Sequence, residues 1–138
     1  MPADFIPLLE ESGLIIQVGE WILESACHQF NLWYEAGLIR HDDKVAVNLS
    51  ARQFIYSDLK KTVTRTLKST QLPADMLELE LTESMLLQDI EQSRRVLQEL
   101  QRLGISIAID DFGTGFSCLS NLKRYPLNEL KIDKSFIV

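Results

Sequence analysis

The chain has 138 residues, of which 46% are apolar and 25% are charged, and its formal net charge is −6. This length and composition suit one domain with a buried core. The acidic balance and the lack of a basic run argue against a nucleic-acid polymer as partner, and no apolar run reaches membrane-spanning length.

The two cysteines, Cys27 and Cys118, have no paired spacing. Cysteines of this kind indicate free thiols in a reducing compartment. We therefore expect a cytoplasmic location.

Helical and strand patterns alternate along the chain. In chain order, they predict a helix over residues 3–12, a helix over 14–36, a strand over 44–49, a helix over about 59–70, a strand over 76–82, a helix over 89–103, a strand that ends at Asp110, a short helical segment over 119–124 and a strand over 129–134. This succession favours a parallel sheet with right-handed crossovers.

The strands share an unusual second face. In the second strand, Leu77, Leu79 and Leu81 alternate with Glu78 and Glu80. A parallel sheet covered by helices should bury two apolar faces, so a polar face needs a cause. Closure of the sheet into a barrel provides one, because that face then lines the interior. The predicted fold class is α/β, a partial TIM-like (β/α) barrel with parallel strands, in one domain over residues 1–138.

The third strand ends in two adjacent carboxylates, Asp110 and Asp111, followed by a loop that contains Gly113 and Gly115. Adjacent carboxylates repel each other, and a cation or a lysine nearby would keep both ionised. The glycines would allow a positive φ or the close approach of a ligand. An ordinary polar turn also accounts for this sequence, and the motif alone leaves both interpretations open.

Polar residues occupy corresponding positions on four successive strands. They are Asn48, Glu80, Asp110 and Lys131, with Glu83 and Asp111 expected on the loops just above them. In a barrel these residues would converge at the carboxyl-terminal mouth, where such folds place their chemistry.

The residue types at this mouth favour a hard divalent cation. Carboxylate and amide oxygens suit Mg²⁺ or Mn²⁺ rather than zinc, and neither His28 nor His41 falls at a strand end. Two such ions could clamp a phosphodiester and generate the attacking hydroxide. Taken singly, Asn48 could instead pair with backbone groups, and Lys131 could be a salt-bridge partner of Glu80.

Four segments resemble successive signatures of the EAL domain family, the bacterial cyclic-di-GMP phosphodiesterases. They are residues 48–54 (NLSARQF), 80–84 (ELTES), 110–117 (DDFGTGFS) and 131–136 (KIDKSF). The resemblance runs over essentially the whole chain. It implies a TIM-like barrel and a two-metal hydrolase that opens cyclic di-GMP to linear pGpG.

The resemblance also implies roles for single residues. The implied metal ligands are Asn48, Glu80, Asp110 and Asp111. The implied catalytic residues are Lys131, which helps to position the water, Glu83, which anchors the glycine loop, and Asp111. The loop over residues 111–117 matches a segment that links metal binding to dimer contacts, and its candidate residues are Phe112, Gly113, Thr114 and Gly115.

The chain departs from the family pattern at both ends. The Glu-Ala-Leu motif with its metal-binding glutamate is absent, as are the strands expected beyond Val138. A complete barrel needs roughly 250 residues, so we expect about half of one. Alone, this half should have little or no activity, and its open sheet edges should favour a homo-oligomer or a strand-exchanged dimer. The alternatives are a degenerate module that binds cyclic di-GMP or a protein without catalysis, and a purely structural interaction domain.

Overall fold

A computed structural model describes residue 8, residues 12–112 and residues 129–132, with Leu87 and residues 110–112 and 129–132 described by their backbone alone. The elements in chain order are α1 (Leu14–Glu35), β1 (Val45–Asn48), α2 (Ala51–Tyr56), α3 (Leu59–Thr70), a 3₁₀ turn (Ala74–Met76), β2 (Leu77–Thr82), α4 (Glu83–Leu87), α5 (Ile90–Arg102), β3 (Ser106–Phe112) and β4 (Glu129–Ile132).

The four strands form one parallel sheet in the order β1-β2-β3-β4. Helices connect β1 to β2 and β2 to β3, as parallel strands require. The predicted α/β class and parallel sheet are confirmed, and the architecture matches part of a TIM-like barrel.

One face of the sheet carries the apolar core. Leu77 and Leu79 are fully buried and Leu81 is 1% exposed, so every leucine of β2 lies under the helical layer. The same core includes the buried β3 residues Ile107 and Ile109 and, from the helices, Leu23, Val63, Leu97 and Leu100. Burial of each such side chain contributes roughly 1.5 to 3 kcal/mol. The apolar stripe of each helix therefore fixes the helices on this face.

Side chains at the helix starts define where α3 and α5 begin. Asp58 accepts a hydrogen bond from the backbone N–H of Lys61 at 3.1 Å, and Asp89 accepts one from that of Gln92 at 3.1 Å. Each satisfies a donor that the first turn leaves without a helical partner. These caps agree with the predicted starts of the two helices.

The structure differs from the sequence-based elements at three places. Residues 51–56 and 83–87 form the short helices α2 and α4, which the apolar pattern did not indicate. Glu83 is therefore the first residue of a helix, and the prediction that it lies on a loop was wrong. Strand β3 continues through Asp111 to Phe112, so Asp111 also lies within an element rather than on a loop.

Two predicted elements cannot be compared with the structure. The helix over residues 3–12 falls almost entirely outside the described residues, as does the helical segment over 119–124. The long helix was predicted over 14–36 and is observed over Leu14–Glu35, followed by Gly37 with φ of 76°. A positive φ of this size suits glycine, which explains why the helix ends there.

Candidate functional site

The backbone of the sheet brings the predicted ligands to one end. Asn48 is the register partner of Glu80, and Asp110 is the partner of Thr82. Strand spacing and rise place the Cα atoms of Asn48 and Glu80 about 5 Å apart and those of Glu80 and Asp110 about 8 Å apart. Three of the four predicted strand-end residues therefore lie at the carboxyl end of adjacent strands.

Carboxylates on the second face of β2 are buried. Glu78 and Glu80 are each 7% exposed, and Glu83 at the start of α4 is 6% exposed. Burial of a charged carboxylate is costly unless a partner compensates it, and each of these three residues has an interaction partner in the structure. Asn48, on strand β1, is exposed. The site thus combines a buried acid with an accessible amide at the same level.

The β3–β4 pairing is irregular at the two aspartates. Ile109 pairs with Leu130 and Phe112 pairs with Ile132, with a register shift between them. Asp110 and Asp111 together therefore lie opposite the single residue Lys131, as in a β-bulge. Bulges concentrate beside active sites because they redirect side chains.

The backbone of β4 places Lys131 opposite the aspartates. The side chains of Asp110, Asp111, Phe112 and Lys131 lie outside the description, as do all atoms of Gly113, Thr114 and Gly115. Their predicted roles in catalysis and in loop coupling remain predictions.

Sequence reasoning missed a cation on the same face as the glutamates. The Nζ atom of Lys44 donates a hydrogen bond to Ser106 Oγ at 2.6 Å, and Ser106 is the register partner of Glu78. Lys44 therefore reaches across from before β1 to the start of β3. Its parity with Ala46 and Asn48 was the signal that could have identified it.

Among the residues that the structure describes, His41 and Cys27 take no part in this site. His41 lies before β1, where its Nε2 is 2.8 Å from Asp75 Oδ2 and its Nδ1 is 3.2 Å from Tyr34 Oη. Cys27 is a free, buried thiol, and burial raises its pKa to about 12. This result agrees with the expected free thiol at Cys27, while Cys118 lies outside the described residues.

The donor types fit a hard divalent cation. An amide from β1 and a buried carboxylate from β2 stand at the same register level, and both offer oxygen ligands of the kind Mg²⁺ and Mn²⁺ prefer. Among the side chains that the structure describes, no group of three or more His, Cys, Asp or Glu could hold a metal ion.

A groove of about 510 Å³ runs between α1 and β1 and reaches this end of the sheet. Its wall includes Ile15, Gly19 and Ile22 of α1, and Asn48, Ser50 and Gln53 at and after the end of β1. Among the residues described, no helix is long and apolar enough to cross a lipid bilayer.

Comparison with known proteins agrees with these features. The family model described as "EAL domain" matches residues 1–138. Over 136 residues, the chain is 51% identical to the signaling protein YkoW of Bacillus subtilis and 47% identical to the bifunctional diguanylate cyclase/cyclic di-GMP phosphodiesterase MucR of Pseudomonas aeruginosa. Each alignment covers 99% of this chain, but only 17% of YkoW and 20% of MucR.

Solved structures show the same likeness. The MucR phosphodiesterase in its c-di-GMP complex superposes with a TM-score of 0.92 at 47% identity, covering 99% of this chain and 55% of that chain. The EAL domain of Mycobacterium smegmatis DcpA gives a TM-score of 0.80 at 39% identity, covering 88% and 54%. The chain thus spans about half of these solved chains and about a fifth of the curated relatives. With a family match over every residue and this shared fold, the chain belongs to the EAL domain family.

Proposed function

We propose that this chain is part of a metal-dependent phosphodiesterase domain that hydrolyses cyclic di-GMP to linear pGpG in bacterial signalling. The observation that carries the proposal is the common register level of Asn48 and Glu80, with Asp110 two residues further along the adjacent strand. Family membership supports the same assignment, because MucR is named as a cyclic di-GMP phosphodiesterase.

The metal site would use oxygen donors from three strands. Asn48, Glu80, Asp110 and Asp111 would hold two Mg²⁺ or Mn²⁺ ions, which supply Lewis-acid activation of the phosphodiester and of a bound water. The chain has a net charge of −6 and the substrate is anionic, so divalent cations would also offset their mutual repulsion.

Side chains of the domain would then position the attacking water and balance the charge of the carboxylates. Lys131, opposite the two aspartates, would orient the attacking water and balance the carboxylates. Water adds to one phosphorus, one P–O bond of the cyclic diester breaks, and the departing sugar oxygen takes up a proton. Glu83, buried at the start of α4, would anchor the loop over residues 111–117.

The cellular setting is part of the same proposal. The domain would act in the cytoplasm, and it would self-associate through the loop over residues 111–117 or through open sheet edges. Light scattering of the purified protein across a concentration series would test this, and a monomer at every concentration would contradict it.

The test uses the full-length protein with cyclic di-GMP in Mg²⁺ or Mn²⁺, and it compares E80Q with E78Q. The two glutamates lie on the same strand face with equal burial, but only Glu80 is level with Asn48. We expect E80Q to lower kcat by more than about 100-fold and E78Q to keep most of the turnover. Equal turnover of E80Q and the wild type would overturn the proposal. Cyclic di-GMP binding in Ca²⁺ without turnover in Mg²⁺ or Mn²⁺ would instead favour the non-catalytic binding module.

A further inference from the structure

Helices α1 and α2 meet at an unusually close contact. A Cβ atom added at Gly19 would overlap with Nε2 and Cδ of Gln53. Any larger residue at this position must displace the amide, because atoms do not approach so closely. The Gln53 amide therefore rests directly on the bare backbone of α1.

The same amide holds the start of α2. Gln53 Oε1 accepts a hydrogen bond from the backbone N–H of Ser50 at 3.1 Å, and Ser50 Oγ accepts one from the backbone N–H of Gln53 at 3.1 Å. This reciprocal pair is a capping box. Gln53 is only 3% exposed, so it has little room to move elsewhere.

Asn48 is two residues before this box. On its carboxyl side, the backbone N–H of Leu49 donates to Glu80 O at 3.0 Å, which extends the β1–β2 pairing by one residue. The next residue, Ser50, is held by Gln53. The backbone after Asn48 is thus fixed by β2 at one residue and by Gln53, backed by α1, at the following one.

We infer that Gln53 is a positioning residue for Asn48, and that Gly19 is required because it leaves space for the Gln53 amide. This inference rests on the proposed function, since it concerns the fit of Asn48 to the divalent cation. Residues that orient a metal ligand commonly affect metal affinity by 10- to 100-fold, although they do not touch the ion. Loss of the Gln53 hydrogen bond should therefore weaken metal binding without removing a ligand.

The experiment titrates the metal-free, full-length protein with Mn²⁺ and measures the Kd by calorimetry. The matched variants are Q53M, which keeps the side-chain length without the acceptor, and Q53E, which keeps an acceptor suited to a capping box. We expect Q53M to weaken Mn²⁺ binding about 10-fold and Q53E to stay close to the wild type. A merely structural role of Gln53 would lower the free energy of unfolding of Q53M, measured with urea, and leave its Mn²⁺ affinity unchanged.

A second variant covers the case in which Q53M does not fold. G19A does not change the residue at position 53, but it introduces a Cβ atom that collides with the Gln53 amide. Its control is S25A, on the exposed side of α1. Folded G19A should also bind Mn²⁺ about 10-fold more weakly, while S25A should not. Unchanged Mn²⁺ affinity in Q53M, or in G19A if only that variant folds, would overturn the inference while the wild type still binds. Absence of Mn²⁺ binding by the wild type itself would overturn both the proposed function and this inference.

Discussion

The two faces of β2 have nearly the same burial and opposite chemistry. Leu77, Leu79 and Leu81 are at most 1% exposed, whereas Glu78 and Glu80 between them are each 7% exposed. Burial of leucine stabilises the fold, but burial of a carboxylate costs free energy unless partners compensate it. The leucine face of β2 therefore stabilises the sheet. The stability of the sheet does not account for the buried glutamates on the other face.

The leucine face gives the largest expected effect on stability. We expect L79A to lower the free energy of unfolding by about 3 kcal/mol, because it removes a fully buried side chain and leaves a cavity. Urea unfolding of the protein would measure it. E78Q, one position away on the other face, is the control, and an equal loss in E78Q would break the contrast between the faces.

The thiol of Cys27 gives a pH-dependent probe of the apolar side. Its pKa is about 12 in the folded state against 9.0 ordinarily, so the unfolded state ionises first. Below pH 9 this group leaves stability unchanged, and between pH 9 and 12 stability should fall by about 1.4 kcal/mol per pH unit.

The measurement for Cys27 is urea unfolding at pH 8 and pH 10 for the wild type and C27A. Other groups also titrate in this range, so the difference between the two proteins isolates the thiol. The wild type should lose about 1.4 kcal/mol more than C27A between these pH values. The same pH dependence in both proteins would show that Cys27 is not the source.

A substitution of Lys44, on the polar face, should have a smaller effect on the free energy of unfolding. We expect K44M to lower the free energy of unfolding by about 1 kcal/mol, because it removes the 2.6 Å hydrogen bond to Ser106 on a face that already carries glutamates. K61M, on the exposed side of α3, is the control for a general charge effect. If both substitutions had the same effect, the bond to Ser106 would contribute nothing of its own.

The smallest effect is expected at His41 and Asp75. Their side chains are 57% and 59% exposed, and exposed ion pairs stabilise folded proteins by less than about 1 kcal/mol. H41A should therefore change the thermal midpoint by only a few degrees at most, by calorimetry. A shift of the thermal midpoint as large as that caused by L79A would mean that the contact between His41 and Asp75 contributes as much to stability as the buried Leu79 side chain.

The elements found from sequence were those with long, regular patterns. Alternation over Leu77–Thr82 identified β2, and helical spacing identified α1, α3 and α5 to within about two residues at each end. Parity also assigned Glu80 and Asn48 to one face, and the register confirms that they are partners. The type of each element and the parity of its side chains depend on residues that are neighbours in the sequence.

The features that sequence did not predict depend on contacts between distant segments. Helix α2 is only six residues long and rests on the fit between Gln53 and Gly19, which lie 34 positions apart. The register shift at Asp110 and Asp111 exists only relative to β4. Lys44 gains its role from Ser106, 62 residues later. No local pattern of residues reports such pairings.

At the register shift, β3 has one residue more than β4. This extra residue interrupts the regular pairing of the two strands, but it gives β3 two adjacent carboxylates. Deleting either aspartate would let β3 and β4 pair in step from Ile109 and Leu130 through to the end of β4, which should make the sheet sturdier. It would also cost the domain one of its two adjacent acids. Selection for thermal stability alone would therefore favour a regular β3–β4 ladder at the expense of one of the two adjacent carboxylates.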